Sequence, residues 1–204
     1  MSDARFSRIV IIQSLPLGES PTGRQLRDGI EPTATFKHGI PVEFIEARTA
    51  KDFWKALEGI KATTENTRDF PVLHIECHGL SDKTGLSLSD GTPLLWVELK
   101  TVLTRLNQAT RCNLFVTLAA CHGAMLFETL DVYARAPCWG LMGPSSKVSP
   151  SDLVSSYSAF FWNFFNPGML CLHFLRCEFL QNAEQIIFYL PQRKFFKRSF
   201  SYTV

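Results

Sequence analysis

This 204-residue sequence has no uninterrupted apolar run long enough to cross a bilayer. The nearest candidate, residues 160–180, is rich in aromatics, but Asn163, Asn166, Pro167, Gly168, His173 and Arg176 interrupt it. Near the N-terminus the only apolar run is Ile9-Val-Ile-Ile12, too short for the core of an export signal. Neither sign of charge is in excess: 21 basic and 19 acidic residues leave a formal net charge of +2. Electrostatics alone therefore implies no polyanionic partner. Internal repeats and low-complexity segments are absent as well. These absences lead to the expectation of a cytoplasmic protein with no membrane contact. The six cysteines are then expected as free thiols in a reducing compartment and not as a disulfide framework.

Hydrophobic residues make up 46% and charged residues 20%, the balance of an ordinary globular chain. The length fits one domain spanning residues 1–204, able to bury a substantial core. Residues 191–204, with Arg193-Lys-Phe-Phe-Lys-Arg198, read as a solvated basic tail, and a nucleic-acid partner is not expected.

Short apolar strands alternate with helical periodicity along the chain. Residues 8–13 predict a buried strand, followed by a long loop over residues 14–23 with Pro16, Gly18, Pro21 and Gly23. A short helix from about Arg24 is expected to end at Gly29 and Pro32. Residues 41–46 predict a second strand. Thr49 and Asp52 then resemble a helix-capping box, before Phe53, Leu57 and Ile60 at helical spacing. Two strongly apolar strands follow, residues 70–79 and 113–118, separated by a helix over 96–108. A fifth strand over 138–142, a helix from Ser149-Pro150, a helix over 169–180 and a last strand over 186–190 complete the expectation. Such alternation implies an α/β fold with a mostly parallel sheet of about six strands and helices on both faces.

Two of these strands end alike. The 70–79 strand closes on Cys77-His78-Gly79, and the 113–118 strand runs into Ala119-Ala120-Cys121-His122-Gly123. In open α/β sheets functional groups gather beyond the carboxyl ends of strands. If the two strands are neighbours, His78 and Cys121 emerge side by side. A cysteine–histidine pair is one of the few that makes a nucleophile at neutral pH. After His78-Gly79, Leu86 and Leu88 alternate with serines, and Asp90-Gly91 predicts a two-residue hairpin turn. A small β-hairpin is thus expected directly after the histidine strand. The backbone N–H groups of Gly79 and Cys121 are candidates to hold a developing oxyanion.

The ordered set resembles the caspase-like cysteine peptidases, in which histidine-glycine follows one central strand and alanine-cysteine-x-glycine the next. Their signature places the histidine about 50 residues before the cysteine; here Cys121 follows His78 by 43 residues. With Leu88-Ser89-Asp90-Gly91 after the histidine, the chain is most similar to the bacterial CHAT branch. The resemblance covers about half of the chain, residues 71–165. It implies a caspase-like three-layer sandwich, endopeptidase activity on a protein substrate, and no metal or organic cofactor. It also implies a setting in bacterial defence or regulated cell death, such as activation of a pore-former, with an activating partner protein.

The pocket for the residue before the scissile bond would include Ala119, two positions before the cysteine. Caspases have glutamine there and metacaspases aspartate, so Ala119 implies selection of a neutral residue. Arg24 and Glu19, in or near the long loop after the first strand, are the candidates to reverse this towards acidic or basic residues. Two other readings stand beside the peptidase. One is a caspase-like interaction module without activity. The other is a zinc-stabilised domain using Cys77, His78, Cys121 and His122, although adjacent strand residues point to opposite faces. His74, Cys77, Cys112, Cys138, Cys171 and Cys177 read as core.

Overall fold

Apolar runs with few polar interruptions bury well on both faces, and here they become the strands of a single sheet. The computed structural model describes residues 6–131 and 133–165, and the backbone of residues 186–189. The elements are β1 (Arg8–Ser14), α1 (Thr22–Glu31), β2 (Val42–Glu46), α2 (Ala50–Thr67) and β3 (Pro71–Gly79). Then come β4 (Gly85–Ser87), β5 (Pro93–Leu95), α3 (Trp96–Ala109), β6 (Phe115–Ala119), β7 (Gly140–Pro144), α4 (Pro150–Phe165) and β8 (Ile186–Tyr189). The main sheet has the order β2-β1-β3-β6-β7-β8. It is parallel throughout except that β8 runs antiparallel to β7. β4 and β5 form an antiparallel hairpin on the end of β3. The architecture is α/β, with a mostly parallel sheet flanked by helices and compatible with a three-layer sandwich.

The period-2 alternation of strands divides the core in two. Val10, Ile12, Leu73, Ile75, Cys77, Val116 and Leu118 face a layer containing Phe53, Leu57 and Ile60 of α2 and Leu99, Leu103 and Leu106 of α3. Ile9, Ile11, Val72, Phe115 and Ala119 face Leu26 and Ile30 of α1 and Leu153, Tyr157, Phe160, Phe161 and Phe165 of α4. Each such fully buried aliphatic or aromatic side chain contributes about 1.5–3 kcal/mol of transfer free energy. The Thr49 cap forms as expected: its hydroxyl accepts the Asp52 N–H at 3.1 Å and donates to the Asp52 carboxylate at 2.8 Å.

Four local expectations need correction. Pro32 does not end the first helix, because the chain continues as a π-helical segment, Pro32–Lys37. Proline there removes one donor, and the wider hydrogen-bond spacing is a ladder that can absorb the gap. The β4–β5 hairpin is closed by three residues, Ser89 to Gly91, and not two. The Gly91 N–H bonds to the Leu88 carbonyl at 2.8 Å, Leu88 N–H bonds to Thr92 at 2.9 Å, and Gly91 has φ +80°. That is a type I turn followed by a left-handed glycine bulge. Cys112 is exposed in the connection before β6, whereas Cys77 and Cys138 are buried. The strand expected from Asn113 begins at Phe115. The helix expected over 169–180, the basic tail, Cys171 and Cys177 lie outside the described residues.

Helix α4 is tied to β6 by one buried hydrogen bond, from the Tyr157 hydroxyl to the Leu118 carbonyl at 2.8 Å. Burial first, and the Glu76 charge second, raise the Tyr157 hydroxyl well above its usual pKa, so it remains a donor. Tyr157→Phe should lower unfolding stability by about 1–2 kcal/mol without changing the fold, measured as a shift in the urea midpoint at unchanged slope.

Candidate functional site

The pairing of β3 with β6 sets the site. Val72 lies opposite Phe115, His74 opposite Thr117 and Glu76 opposite Ala119, in parallel register. The offset of this ladder equals the sequence separation between His78 and Cys121. Two more rungs therefore bring these residues level at the carboxyl ends of strands spaced about 4.8 Å apart. Alternation puts His74, Glu76 and His78 on the face covered by α1 and α4, and Phe115, Thr117, Ala119 and Cys121 share it.

Gly79 makes this approach possible. A Cβ built on it would overlap the Cys121 carbonyl oxygen and lie 2.8 Å from its carbonyl carbon and 3.2 Å from its Cβ. Only a residue without a side chain fits. The Gly79 N–H also lies outside the β3–β4 ladder. Leu80 N–H bonds to the Gly85 carbonyl at 2.9 Å, and the next rung, Gly79 with Leu86, is therefore a non-hydrogen-bonded pair. Its donor points to the Cys121 side.

His78 is half exposed, and its Nε2 lies 2.7 Å from the Glu19 carboxylate. Cys121 is half-buried, and its thiol donates to the Val148 carbonyl at 3.8 Å, in the connection leading to α4. His122 turns the chain with φ +61°. Its ring is buried, with Nδ1 at 3.2 Å from the Ser145 carbonyl, and its N–H bonds to Ser146 at 3.1 Å. His122 thus braces the loop and does not share the exposed edge with His78.

A polar chain lies beneath the pair. Glu76 is 3% exposed; its carboxylate accepts the Thr22 hydroxyl on α1 and lies 3.2 Å from Nε2 of His74. His74 Nδ1 meets the Thr117 hydroxyl at 2.8 Å, and its ring packs edge-on against Tyr157 at 4.8 Å. His74 is core, as the alternation implies. Glu76 was overlooked by the sequence reading; the available signal was a carboxylate inside an apolar strand, on the same face as His74 and His78. Burial of a charge demands such partners, and this network locks α1 to the two central strands directly below the pair.

The hairpin closes the other side. The Ser89 N–H bonds to the Ser14 hydroxyl at 3.0 Å, and the Ser89 hydroxyl to the Leu15 carbonyl at 2.8 Å. Asp90 accepts the Ala50 N–H at 2.8 Å and the Thr92 N–H at 3.0 Å. These bonds, that of Ala50 foremost, hold the Asp90 carboxyl below its usual pKa.

Of the pocket candidates, Ala119 is fully buried beside Glu76. Glu19 meets His78 as described. Arg24 turns away to the β2 edge, with its guanidinium 3.6 Å from Glu46 and 5.1 Å over the Phe44 ring. Cys77 faces the opposite layer from His78, and burial first, then the Glu76 charge, push its thiol up. Among the described residues no group of three or more His, Cys, Asp or Glu is placed to hold a metal ion. A cleft of about 290 Å³ lined by Ile30, Thr33, Ser158 and Trp162 opens between the later turns of α1 and α4, away from this edge. No helix among the described residues is long and apolar enough to cross a membrane. A scan against protein-family models matches none, and a search of curated proteins finds no match.

Two expectations follow from this geometry. Gly79→Ala forces the backbone at Cys121 to move. Amide NMR shifts should therefore change over residues 119–123 and 77–80, while probes in α2 stay in place. The Asp90 pKa is lowered on folding, so its contribution to stability is complete above the ordinary carboxylate range. It is lost as pH falls through the lowered folded-state value. The stability difference between wild type and Asp90→Asn should then be largest at neutral pH and shrink towards about pH 3, as read from urea midpoints.

Proposed function

We propose that this chain is a cysteine endopeptidase of the caspase-like type, closest to the CHAT branch. Cys121 serves as nucleophile and His78 as general acid and base. The observation that carries the reading is the β3–β6 register, whose offset brings His78 level with Cys121 at the same sheet edge. The chemistry is that of a thiol activated by imidazole. His78 takes the Cys121 proton, and the thiolate bonds to the peptide carbonyl carbon. The C–N bond then breaks, and His78 protonates the leaving amine. A water molecule next gives its proton to His78 while its oxygen attacks the thioester. The carboxyl product leaves, and the thiol is restored. The N–H groups of Gly79 and Cys121 hold the oxyanion that develops in both halves. To react, Sγ has to turn from the Val148 carbonyl towards the imidazole; catalytic hydrogen bonds commonly tighten only in the substrate complex.

Ala119 gives the pocket before the scissile bond no charge of its own, and Glu76 beside it is already engaged by Thr22 and His74. A neutral residue is the expected choice, because a buried charge without a partner costs several kcal/mol. The substrate is a protein, an activating partner is part of the proposal, and the mechanism needs no cofactor.

One observation favours a second reading, an interaction module without activity: the thiol bonds to Val148 and not to His78. Peptide-library cleavage with purified variants separates the two. The peptidase reading predicts that Cys121→Ala abolishes cleavage and that His78→Ala costs about a hundredfold or more. His122→Ala should cost far less, and a chelator should change nothing. Cleavage that survives Cys121→Ala, or an essential His122 beside a dispensable His78, overturns the assignment. Dominant cleavage after Asp, Arg or Lys overturns the neutral pocket.

A further inference from the structure

We infer that Glu19 is the positioning residue of this site: its carboxylate fixes the His78 ring so that Nδ1 is the nitrogen left to serve Cys121. The inference rests on the peptidase reading above and assigns Glu19 a role different from lining the substrate pocket.

The contact is built by the backbone. β1 ends at Ser14, whose hydroxyl bonds to the Ala47 carbonyl at 2.9 Å, and the hairpin residue Ser89 holds Ser14 and Leu15 in turn. From this anchored point the chain makes one tight turn, in which the Glu19 N–H reaches the Pro16 carbonyl at 3.4 Å. Gly18 occupies the third position with φ +89°, the conformation a type II turn requires there. The turn is followed at once by α1, whose Thr22 is held by Glu76. Residue 19 is thus carried to the end of β3 by a segment pinned on both sides.

The chemistry of the contact is specific. A carboxylate only accepts, so the Nε2 of His78 must carry a proton to make the 2.7 Å bond. In the neutral ring that leaves Nδ1 as the acceptor, able to take the Cys121 proton. In the charged ring the carboxylate stabilises the imidazolium that forms as Cys121 ionises. A third group that orients the base of a nucleophile–base pair does the same work in other hydrolases. The bond is charge-assisted and shorter than an ordinary N–H···O bond. At 44% side-chain exposure for Glu19 and 50% for His78, solvent screens it enough to make it weak as a stability device. Fixing ring orientation is the effect that does not depend on large net energy. It also removes Glu19 as a free pocket acid.

The test is a cycle of Glu19→Ala, His78→Ala and the double variant, with two readouts. The first is cleavage of a neutral and a basic peptide substrate. The second is the rate at which iodoacetamide modifies Cys121, which requires no peptidase activity. Glu19→Ala should lower kcat about tenfold or more, with KM unchanged for both substrates. It should slow Cys121 alkylation. The double variant should be no worse than His78→Ala in either readout, because Glu19 acts only through His78. Glu19→Gln, which keeps an acceptor, should recover part of the loss, and Gly18→Ala, which strains the turn, should reproduce part of it. Losses that add in the double variant overturn the inference, as does a Glu19→Ala variant whose only defect is a raised KM for the basic peptide. An inactive wild type removes the peptidase reading, while the alkylation cycle still decides the Glu19–His78 coupling.

Discussion

The parallel register between β3 and β6 is the constraint on which the site depends. Each rung is a pair of backbone groups bonded across the sheet, and the offset is fixed by the apolar alternation of both strands. A slip of one residue would expose Val72, Phe115 and their neighbours while burying the opposite set. The hydrophobic layers therefore hold the register, and the register holds His78 level with Cys121. Gly79 completes the arrangement, because a side chain there would occupy the space of the Cys121 carbonyl.

Around these strand ends the chain adds supports from three directions. The Thr22–Glu76–His74–Thr117 chain locks α1 to the central strands from below. The β4–β5 hairpin reaches back through Ser89 and Asp90 to the end of β1 and the start of α2. The loop from Pro16 to Glu19 closes over His78. Each support joins elements far apart in sequence, as expected for a site placed on loops by a rigid scaffold.

The strands and most helices were legible because burial on two faces leaves an unmistakable composition, as in Ile9-Val-Ile-Ile12. The Thr49 cap was legible because its chemistry is local. The His78 and Cys121 strand ends were legible once two similar motifs were compared. Other features depend on longer reach. Nothing near Glu19 in sequence indicates His78, 59 residues on; only the turn at Gly18 and the strand order join them. Glu76 stood out against its apolar strand, but its partners come from α1 and a neighbouring strand. The helical continuation past Pro32 shows a local rule giving way, since a missing donor need not stop a helix that can change its spacing. The Asp90-Gly91 pair correctly marked a turn but left its length open by one residue.

The claim that Cys121 and His78 form a working pair can be measured with a reference inside the same molecule. Cys112 is exposed near the start of β6 and lies at the strand end opposite Cys121. Mass spectrometry of briefly alkylated protein at neutral pH gives the modification ratio of Cys121 to Cys112. The account predicts a ratio well above one, although Cys121 is the less exposed thiol, falling below one in His78→Ala. A ratio that follows exposure alone, and is the same in both proteins, would contradict it.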